Sequence, residues 1–256
     1  MKFSIFENKN IFIALFGILK NTSSYICLYF DDNKIHLQGM DKSHVCLFDV
    51  YLHKEWFDTY IKEQEGVENI CIDTSIFYTI ISSSHDDHVI HLNCDSKLDI
   101  LQIDLLTKCT KGEFNKFFKI PLANIEYDLI EIPIVEYDTD FSINAKKILE
   151  ITSQMINFGN DINIQCSEEN INLLTIGISG EMMVKIPMDD LNEYSICEGE
   201  IINNTYSLNY IHKMCVSSKL CNQIEFSISM KFPMKIKYDL GNKSSLMFFI
   251  APKVID

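Results

Sequence analysis

Short runs in which apolar and polar residues alternate cover most of this chain, a pattern typical of strands with one buried face. In the first half, we predict strands at residues 2–6, 25–30, 34–39, 44–51, 70–72, 88–94, 98–106 and 113–120. The runs at 88–94 and 98–106 are separated by a short polar turn and therefore predict a hairpin.

Two segments of the first half have helical spacing instead. The first runs from a cap at Asn8 or Asn10 to about Lys20, and the second covers residues 74–82. Residues 11–19 of the first helix are apolar and long enough for the core of a secretion signal, but no small-residue cleavage pattern follows them. We therefore expect an intracellular helix at this position.

The second half of the chain repeats this order of elements. Apolar strand positions recur 136 residues later as Ile26 and Ile162, Leu28 and Ile164, Ile35 and Ile171, and Leu37 and Leu173. A predicted helix at 144–157 corresponds to that at 10–20, and a helix with its following hairpin at 207–240 corresponds to 74–106. This long-period match predicts a duplicated α+β unit rather than a solenoid of short repeats.

Residues 120–138 separate the two copies and have the character of an extended surface connector. Pro121 and Pro133 bracket the segment, and proline disfavours both a continuous helix and a central strand. The segment is acidic through Glu126, Asp128, Glu131, Glu136 and Asp138. Because no His or Lys lies nearby to split the roles of these carboxylates, we expect a solvated loop that attracts basic partner segments rather than a catalytic cluster.

The net charge of the chain restricts the ways in which it could bind nucleic acid. The formal charge is −14 over 256 residues, and all 22 basic residues are lysine because the sequence contains no arginine. Most affinity for nucleic acid comes from basic side chains that neutralise phosphates. Taken alone, the charge therefore argues against DNA as a partner, unless the protein holds DNA by enclosure rather than by affinity.

Cysteine usage predicts a reducing compartment. The nine cysteines lie mostly within apolar runs, their number is odd, and no CxxC motif occurs. We expect free thiols packed as small apolar side chains.

The sequence carries no recognisable catalytic motif. It lacks the phosphate-binding GxxxxGK[ST] loop, GxGxxG, GxSxG and HExxH. The one cluster that resembles a metal site contains His85, His88 and His91, but on an extended strand His88 and His91 point to opposite faces. We therefore expect no metal site, and a metal-dependent enzyme is only a remote alternative.

Two stretches resemble a known family. Residues 37–50 (LQGMDKSHVCLFDV) are similar to the signature of the eukaryotic-type DNA sliding clamps, the proliferating cell nuclear antigen family, and residues 249–256 (FIAPKVID) are similar to its C-terminal tail. The resemblance covers nearly the whole chain and is weaker in the middle. It implies a ring-forming α+β clamp fold with an N-terminal domain at 1–118, an interdomain connecting loop at 119–138 and a C-terminal domain at 139–256.

The resemblance also implies a function. A member of this family would be a DNA polymerase processivity factor, without enzymatic activity or cofactor, that encircles duplex DNA as a homotrimer in the nucleus or at a viral replication site. Implied partners are DNA polymerase, the clamp loader and other replication and repair proteins with a Gln-aliphatic-aromatic motif; a membrane is not expected. A divergent clamp without arginine would suit a large DNA virus or an AT-rich protist. The alternative is a clamp-fold interaction scaffold that does not encircle DNA.

By resemblance, the partner peptide would bind an apolar groove beneath the connector. Aromatic anchors buried in such a groove carry most of the energy of peptide binding. The positions of this sequence that match the family's groove are Met40, His44, Val45, Leu47, Ile130, Pro133, Pro233, Phe249, Ala251, Pro252 and Lys253. For Val45 the sequence leaves open whether the side chain belongs to the groove or to the core.

The DNA-facing and subunit-facing residues follow from the same resemblance. Lysines expected to face DNA are Lys9, Lys20, Lys146, Lys147, Lys213 and Lys219. The lining departs from the family, because Ile13 and Ala14 stand where basic residues are usual. The edges expected to join subunits contain Thr110, Phe114, Phe118, Gly180, Met182 and Val184. The family's ubiquitin-accepting lysine falls at Glu168, so we expect that regulation to be missing.

Overall fold

The computed structural model describes residues 1–62, 68–94, 99–107, 114–125, 128–216 and 219–253. These residues form two compact units. The first unit contains Met1–Met40, Asp49–Ile130 and Leu240–Ser245; the second contains Asp41–Phe48, Glu131–Asp239 and Leu246–Asp256. Each unit is therefore assembled from three separate stretches of the chain.

The first unit combines two helices with antiparallel sheets. Its helices are α1 (Lys9–Leu19) and α2 (Thr74–Ser82). Its strands are β1 (Lys2–Ile5), β2 (Tyr25–Phe30), β3 (Lys34–Met40), the second part of β4 (Cys46–His53), β5 (Thr59–Ile61), β6 (Asn69–Asp73), β7 (His88–Cys94), β8 (Ile100–Thr107) and β9 (Lys116–Pro121). One sheet has the order β5-β1-β7-β8-β9, and β2 pairs with β3 on one side and with β6 on the other.

Aromatic side chains form the core between the two helices of this unit. The rings of Phe16 on α1 and Phe77 on α2 meet edge to face with centroids 4.6 Å apart, a favourable aromatic geometry. Helix α2 begins where it does because the Asp73 carboxylate accepts the Ile76 N–H at 2.9 Å. Such a cap stabilises a helix by about 1 kcal/mol.

The second unit repeats this architecture. Its helices are α3 (Ala145–Met155) and α4 (Leu208–Cys215). Its strands are β10 (Thr139–Asn144), β11 (Asp161–Cys166), β12 (Asn170–Gly177), β13 (Gly180–Pro187), β14 (Glu193–Ile196), β15 (Ile202–Ser207), β16 (Gln223–Ile228), and parts of β17 (Met234–Gly241) and β18 (Ser244–Ile250). Four strands form a sheet in the order β13-β12-β11-β15, and β14, β10, β16 and β17 are neighbours in another.

The predicted duplication is confirmed by strand register. Leu28 on β2 lies opposite Leu37 on β3, and Ile164 on β11 lies opposite Leu173 on β12. Ile164 and Leu173 follow Leu28 and Leu37 by 136 residues, the same spacing that was found in the sequence. Within the described residues, each half also contains nine strands and two helices in the same order.

Two local predictions are corrected by backbone geometry. Strand β4 begins at Cys46 and not at His44, because His44 has a φ of 56° and therefore lies in a turn. Asn8 does not cap α1 with its side chain; its Nδ2 group donates to the Trp56 carbonyl at 2.7 Å instead.

The apolar run at 11–19 lies within α1, and in the described parts of the chain no helix is long and apolar enough to cross a membrane.

The cysteines differ from the prediction at one pair. Cys27 on β2 lies directly opposite Cys71 on β6, and a disulfide joins them. The expectation that every thiol is free is therefore wrong for this pair. Cys46, Cys166 and Cys215 are free and buried, and burial raises the pKa of each thiol to about 12. These three thiols are unreactive, as expected of core side chains.

Candidate functional site

The loop that leads into β4 is organised by the buried carboxylate of Asp41. Its Oδ1 accepts the backbone N–H groups of Val45 and Cys46 at 2.8 and 2.7 Å, and its Oδ2 accepts that of Ser43 at 2.9 Å. Only 8% of Asp41 is exposed. These bonds close the loop tightly enough to hold His44 at positive φ, with its side chain exposed at the tip.

Tyr210 fastens this loop to helix α4. Its hydroxyl donates to Asp41 Oδ2 at 2.6 Å. Burial alone would raise the pKa of Asp41, but the hydrogen bonds from Tyr210 and from three backbone N–H groups outweigh it and lower that pKa. Burial, together with this bond to Asp41, raises the pKa of Tyr210. Asp41 is therefore ionised at neutral pH and holds the loop as a charged acceptor.

The C-terminal tail runs beside the same loop. The Ala251 N–H donates to the Val45 carbonyl at 3.0 Å, and the Lys253 N–H donates to the Thr205 carbonyl at 2.7 Å. The Lys253 ammonium group also forms an ion pair with the Asp161 carboxylate. The structure thus brings together the two stretches whose sequences carried the family resemblance.

The expected groove residues differ in their exposure. Within the second unit, His44, Pro133, Pro233, Pro252 and Lys253 are exposed, and Val45, Phe249 and Ala251 are half-buried. Leu47 is only 8% exposed, so it can support this surface only from below. Met40 and Ile130 belong to the first unit, where Met40 is half-buried and Ile130 is 46% exposed.

Sequence reasoning missed Asp41 and Tyr210 as parts of this site. The signal for Asp41 was available, because an Asp followed by a polar tip often accepts N–H groups from the turn that it begins. Tyr210 had no comparable signal, since it lies 169 residues from Asp41 in the sequence.

The expectation that Lys9 faces DNA is wrong. Its side chain is 4% exposed, and its ammonium group donates to the carbonyls of His85, Asp86 and His88 at 2.6, 2.7 and 2.7 Å. All three donors of an ammonium group can be satisfied in this way. Lys9 therefore fixes the turn before β7 and is not available to phosphates.

The other expected lysines are more accessible. Lys146 and Lys147 are exposed in the first turn of α3, Lys213 is exposed on α4, and Lys219 is exposed beyond it. Lys20 is half-buried, with its ammonium group 3.8 Å from the centroid of the Tyr78 ring. Helices α1 and α2 are described throughout, and their exposed residues are uncharged: Asn10, Ser75, Ile76, Thr79 and Ser82.

The two segments expected to join subunits lie at sheet edges. Strand β9 ends the five-stranded sheet beside β8, and β13 ends the four-stranded sheet beside β12. Phe114 is 76% exposed just before β9, and Phe118 within it is half-buried. On β13, Gly180 is exposed, and Met182 and Val184 are half-buried. Thr110 lies outside the described residues.

Within the histidine cluster, the His88 ring is engaged in structural hydrogen bonds. His88 Nδ1 accepts the His85 N–H at 2.9 Å, so its Nε2–H donates to the Phe114 carbonyl at 3.0 Å. His88 is completely buried. Among the described residues, no group of three or more His, Cys, Asp or Glu side chains could hold a metal ion. Both ring nitrogens of His88 are thus committed to the fold.

Comparison with known proteins assigns the chain to a family. The family model of the N-terminal domain of proliferating cell nuclear antigen matches residues 2–130, and that of the C-terminal domain matches residues 131–253. The chain belongs to the proliferating cell nuclear antigen family. Its fold is accordingly the two-domain α+β clamp fold, and like other members of this family it is not an enzyme.

Individual relatives of this clamp-family chain are distant but match over most of their length. Proliferating cell nuclear antigen 2 of Plasmodium falciparum is 27% identical, with 96% of each chain covered. Proliferating cell nuclear antigen of Chaetomium thermophilum is 24% identical over 88% of each chain. A protein of Methanococcus maripaludis named DNA polymerase sliding clamp is 24% identical over 96% of this chain and 97% of the relative.

Proposed function

We propose that this chain is a DNA polymerase processivity factor that assembles as a homotrimeric ring around duplex DNA. Family membership carries the proposal, together with a relative of matching length that is named DNA polymerase sliding clamp. The expected division into domains 1–118 and 139–256 with a connecting loop at 119–138 forms part of it. We expect the protein to act inside the cell, in the nucleus or at a viral replication site, without a cofactor.

Ring closure is proposed to occur by pairing of β9 of one subunit with β13 of the next. Sheet edges that are neither paired nor protected tend to recruit another strand, and a head-to-tail contact with a closing rotation produces a ring. The exposed Phe114 beside β9 and the half-buried Met182 and Val184 on β13 offer apolar side chains for this contact.

The oligomeric mass tests ring formation. One chain has a mass of 29.7 kDa, so light scattering should give about 89 kDa for the wild type. Phe114→Asp should shift the mass towards the monomer because a charge replaces an apolar contact. The control is Ile61→Asp on β5, at the opposite edge of the same sheet and 55% exposed, which should remain trimeric. A monomeric wild type at micromolar concentration would refute the ring.

We propose that DNA is held by enclosure, with loose phosphate contacts from Lys20, Lys146, Lys147, Lys213 and Lys219. The net charge of −14 per chain disfavours tight binding. A ring loaded on circular DNA by a clamp loader should remain bound and should slide off after linearisation. Equal loss from both forms would favour the alternative, a clamp-fold scaffold that does not encircle DNA. This alternative is retained because the exposed residues of α1 and α2 are uncharged and offer no lysine to phosphates.

We propose that partners bind the surface around the Asp41 loop and the C-terminal tail. The expected partners are DNA polymerase, the clamp loader and replication or repair proteins with a Gln-aliphatic-aromatic motif. The hydrogen bond between Ala251 and Val45 supports this site because it holds the two expected walls together. His44→Ala and Phe249→Ala should each weaken binding of such a peptide by about 1–2 kcal/mol in a titration. Unchanged binding in both variants would contradict this assignment.

A further inference from the structure

The side chain of Gln38 on β3 engages both backbone groups of Ile130 in the connector. Gln38 Oε1 accepts the Ile130 N–H at 2.6 Å, and Gln38 Nε2 donates to the Ile130 carbonyl at 2.9 Å. Gln38 is 6% exposed, whereas 46% of Ile130 is exposed. The connector is therefore gripped by its backbone at this point, and the Ile130 side chain remains accessible.

A buried carboxylate fixes the orientation of this amide. Gln38 Nε2 also lies 3.3 Å from Asp49 Oδ1, and the same oxygen accepts the His36 Nε2–H at 2.6 Å. Asp49 is only 2% exposed. If the amide were reversed, Gln38 Oε1 would face two acceptors, the Asp49 carboxylate and the Ile130 carbonyl. Asp49 therefore selects the orientation that matches the backbone of Ile130.

Aromatic packing holds the His36 ring, which donates to Asp49, in place. The His36 ring stacks on Tyr51 with centroids 4.4 Å apart and planes 5° from parallel. Burial, followed by the nearby Asp49 charge, raises the pKa of Tyr51 to about 12. Tyr51 is therefore neutral at physiological pH and adds no negative charge beside Asp49.

The contact with Gln38 falls between two other attachments of the connector. Before it, the Ala123 N–H donates to the Cys71 carbonyl at 2.7 Å. After it, the next backbone hydrogen bond along the described chain is the Asp138 N–H to the Ile228 carbonyl at 3.0 Å. Without Gln38, the segment between Ala123 and Asp138 would lose the attachment nearest its middle and would sample many more conformations.

We propose that Gln38 is a positioning residue for partner binding that latches the connector at Ile130. The inference rests on the proposed function, because Gln38 would position the connector segment against which a partner peptide docks. A held connector has less conformational freedom to lose when the peptide binds, so the latch strengthens binding without touching the peptide. Gln38 was not among the groove residues expected from the family.

The test compares three variants. Gln38→Glu is nearly isosteric but places a carboxylate against the Ile130 carbonyl and Asp49, so it should open the latch. Gln38→Met removes the hydrogen bonds without adding charge and serves if the Glu variant does not fold. Gln102→Glu is the control, since Gln102 Nε2 also donates to an Asp, at 3.1 and 3.0 Å from the Asp104 oxygens, but lies on β8, where its cross-strand partner is Lys119 and not Ile130.

Hydrogen exchange of the Ile130 amide in the full-length protein reports directly on the latch. We expect exchange to accelerate about tenfold or more in either Gln38 variant, with the core strands and the Gln102→Glu control unchanged. A fluorescent peptide carrying a Gln, an Ile and two Phe residues should then dissociate several-fold faster. Unchanged exchange at Ile130 in Gln38→Met would overturn the latch.

The exchange measurement separates this inference from the proposed function. It depends on neither ring assembly nor partner binding, so a monomeric protein or one that ignores the peptide would still report the state of the latch. Faster exchange at Ile130 with unchanged peptide dissociation would overturn the role of Gln38 in partner binding. Faster exchange with faster dissociation supports both parts.

Discussion

Replacing Asp41 by Ala tests whether one carboxylate organises the partner-binding loop. The change removes four hydrogen bonds, three from backbone N–H groups and one from Tyr210. A hydrogen bond to a charged group contributes about 1.5–3 kcal/mol, but neighbouring contributions are not additive and the released N–H groups regain water. We therefore expect the free energy of unfolding to fall by about 2–4 kcal/mol.

Urea unfolding at fixed protein concentration measures this loss, because oligomerisation would otherwise alter the apparent stability. Tyr210→Phe is the matched control, since it removes only one of the four bonds and should cost about 1.5 kcal/mol, the lower end of the range for one such bond. If Asp41→Ala destabilised the protein no more than Tyr210→Phe, the backbone bonds of Asp41 would contribute nothing and the reasoning would be refuted.

The contribution of Asp41 should also depend on pH. Because the pKa of Asp41 is lowered in the folded protein, its stabilisation is fully present above the ordinary Asp pKa of about 3.9. It is lost as the pH falls below that value, through the lower pKa of the folded state. The stability difference between wild type and Asp41→Ala should therefore shrink on acidification, and a difference that grew would contradict this assignment.

Single contacts elsewhere in the chain give three further predictions. Lys9→Met should lower the free energy of unfolding by about 3 kcal/mol because it leaves three carbonyls without their donor. Lys20→Met should cost much less. Equal losses of stability in urea unfolding would contradict the structural role of the buried Lys9. Gly177→Ala should destabilise the protein by about 1–3 kcal/mol, since its Cβ would clash with the Phe158 carbonyl oxygen, whereas Ser179→Ala at an exposed position should be neutral. Thiol titration in denaturant should find two fewer reactive thiols without reductant than after reduction, because Cys27 and Cys71 are joined; equal numbers would show that this pair is reduced.

The duplicated fold could be predicted because sheet register leaves a direct trace in the sequence. A slip of β3 by one residue against β2 would turn Leu37 away from the core side that Leu28 occupies. The same constraint acts on Ile164 and Leu173 in the second unit. Repeated apolar positions with the same spacing therefore indicated both the strands and the duplication.

The contacts of individual polar side chains could not be predicted in the same way. Lys9 occupies a helix position that the family resemblance assigned to DNA, but its acceptors lie 76 to 79 residues away. Gln38 reaches a backbone 92 residues away. Helical or strand periodicity specifies which face a residue occupies and not which distant carbonyl meets it, so these roles required the fold.

The distribution of charge determines how such a ring could hold DNA. Because Lys9 is buried and the exposed positions of α1 and α2 are uncharged, most of the accessible expected lysines belong to the second unit. A smaller number of phosphate-binding lysines lowers both the affinity for DNA and the dependence of that affinity on salt. We therefore expect retention on closed DNA to change little with ionic strength, because a topological link does not depend on counterion release. An affinity-based mode of binding would instead weaken steeply as salt increased, so the salt dependence distinguishes enclosure from attraction.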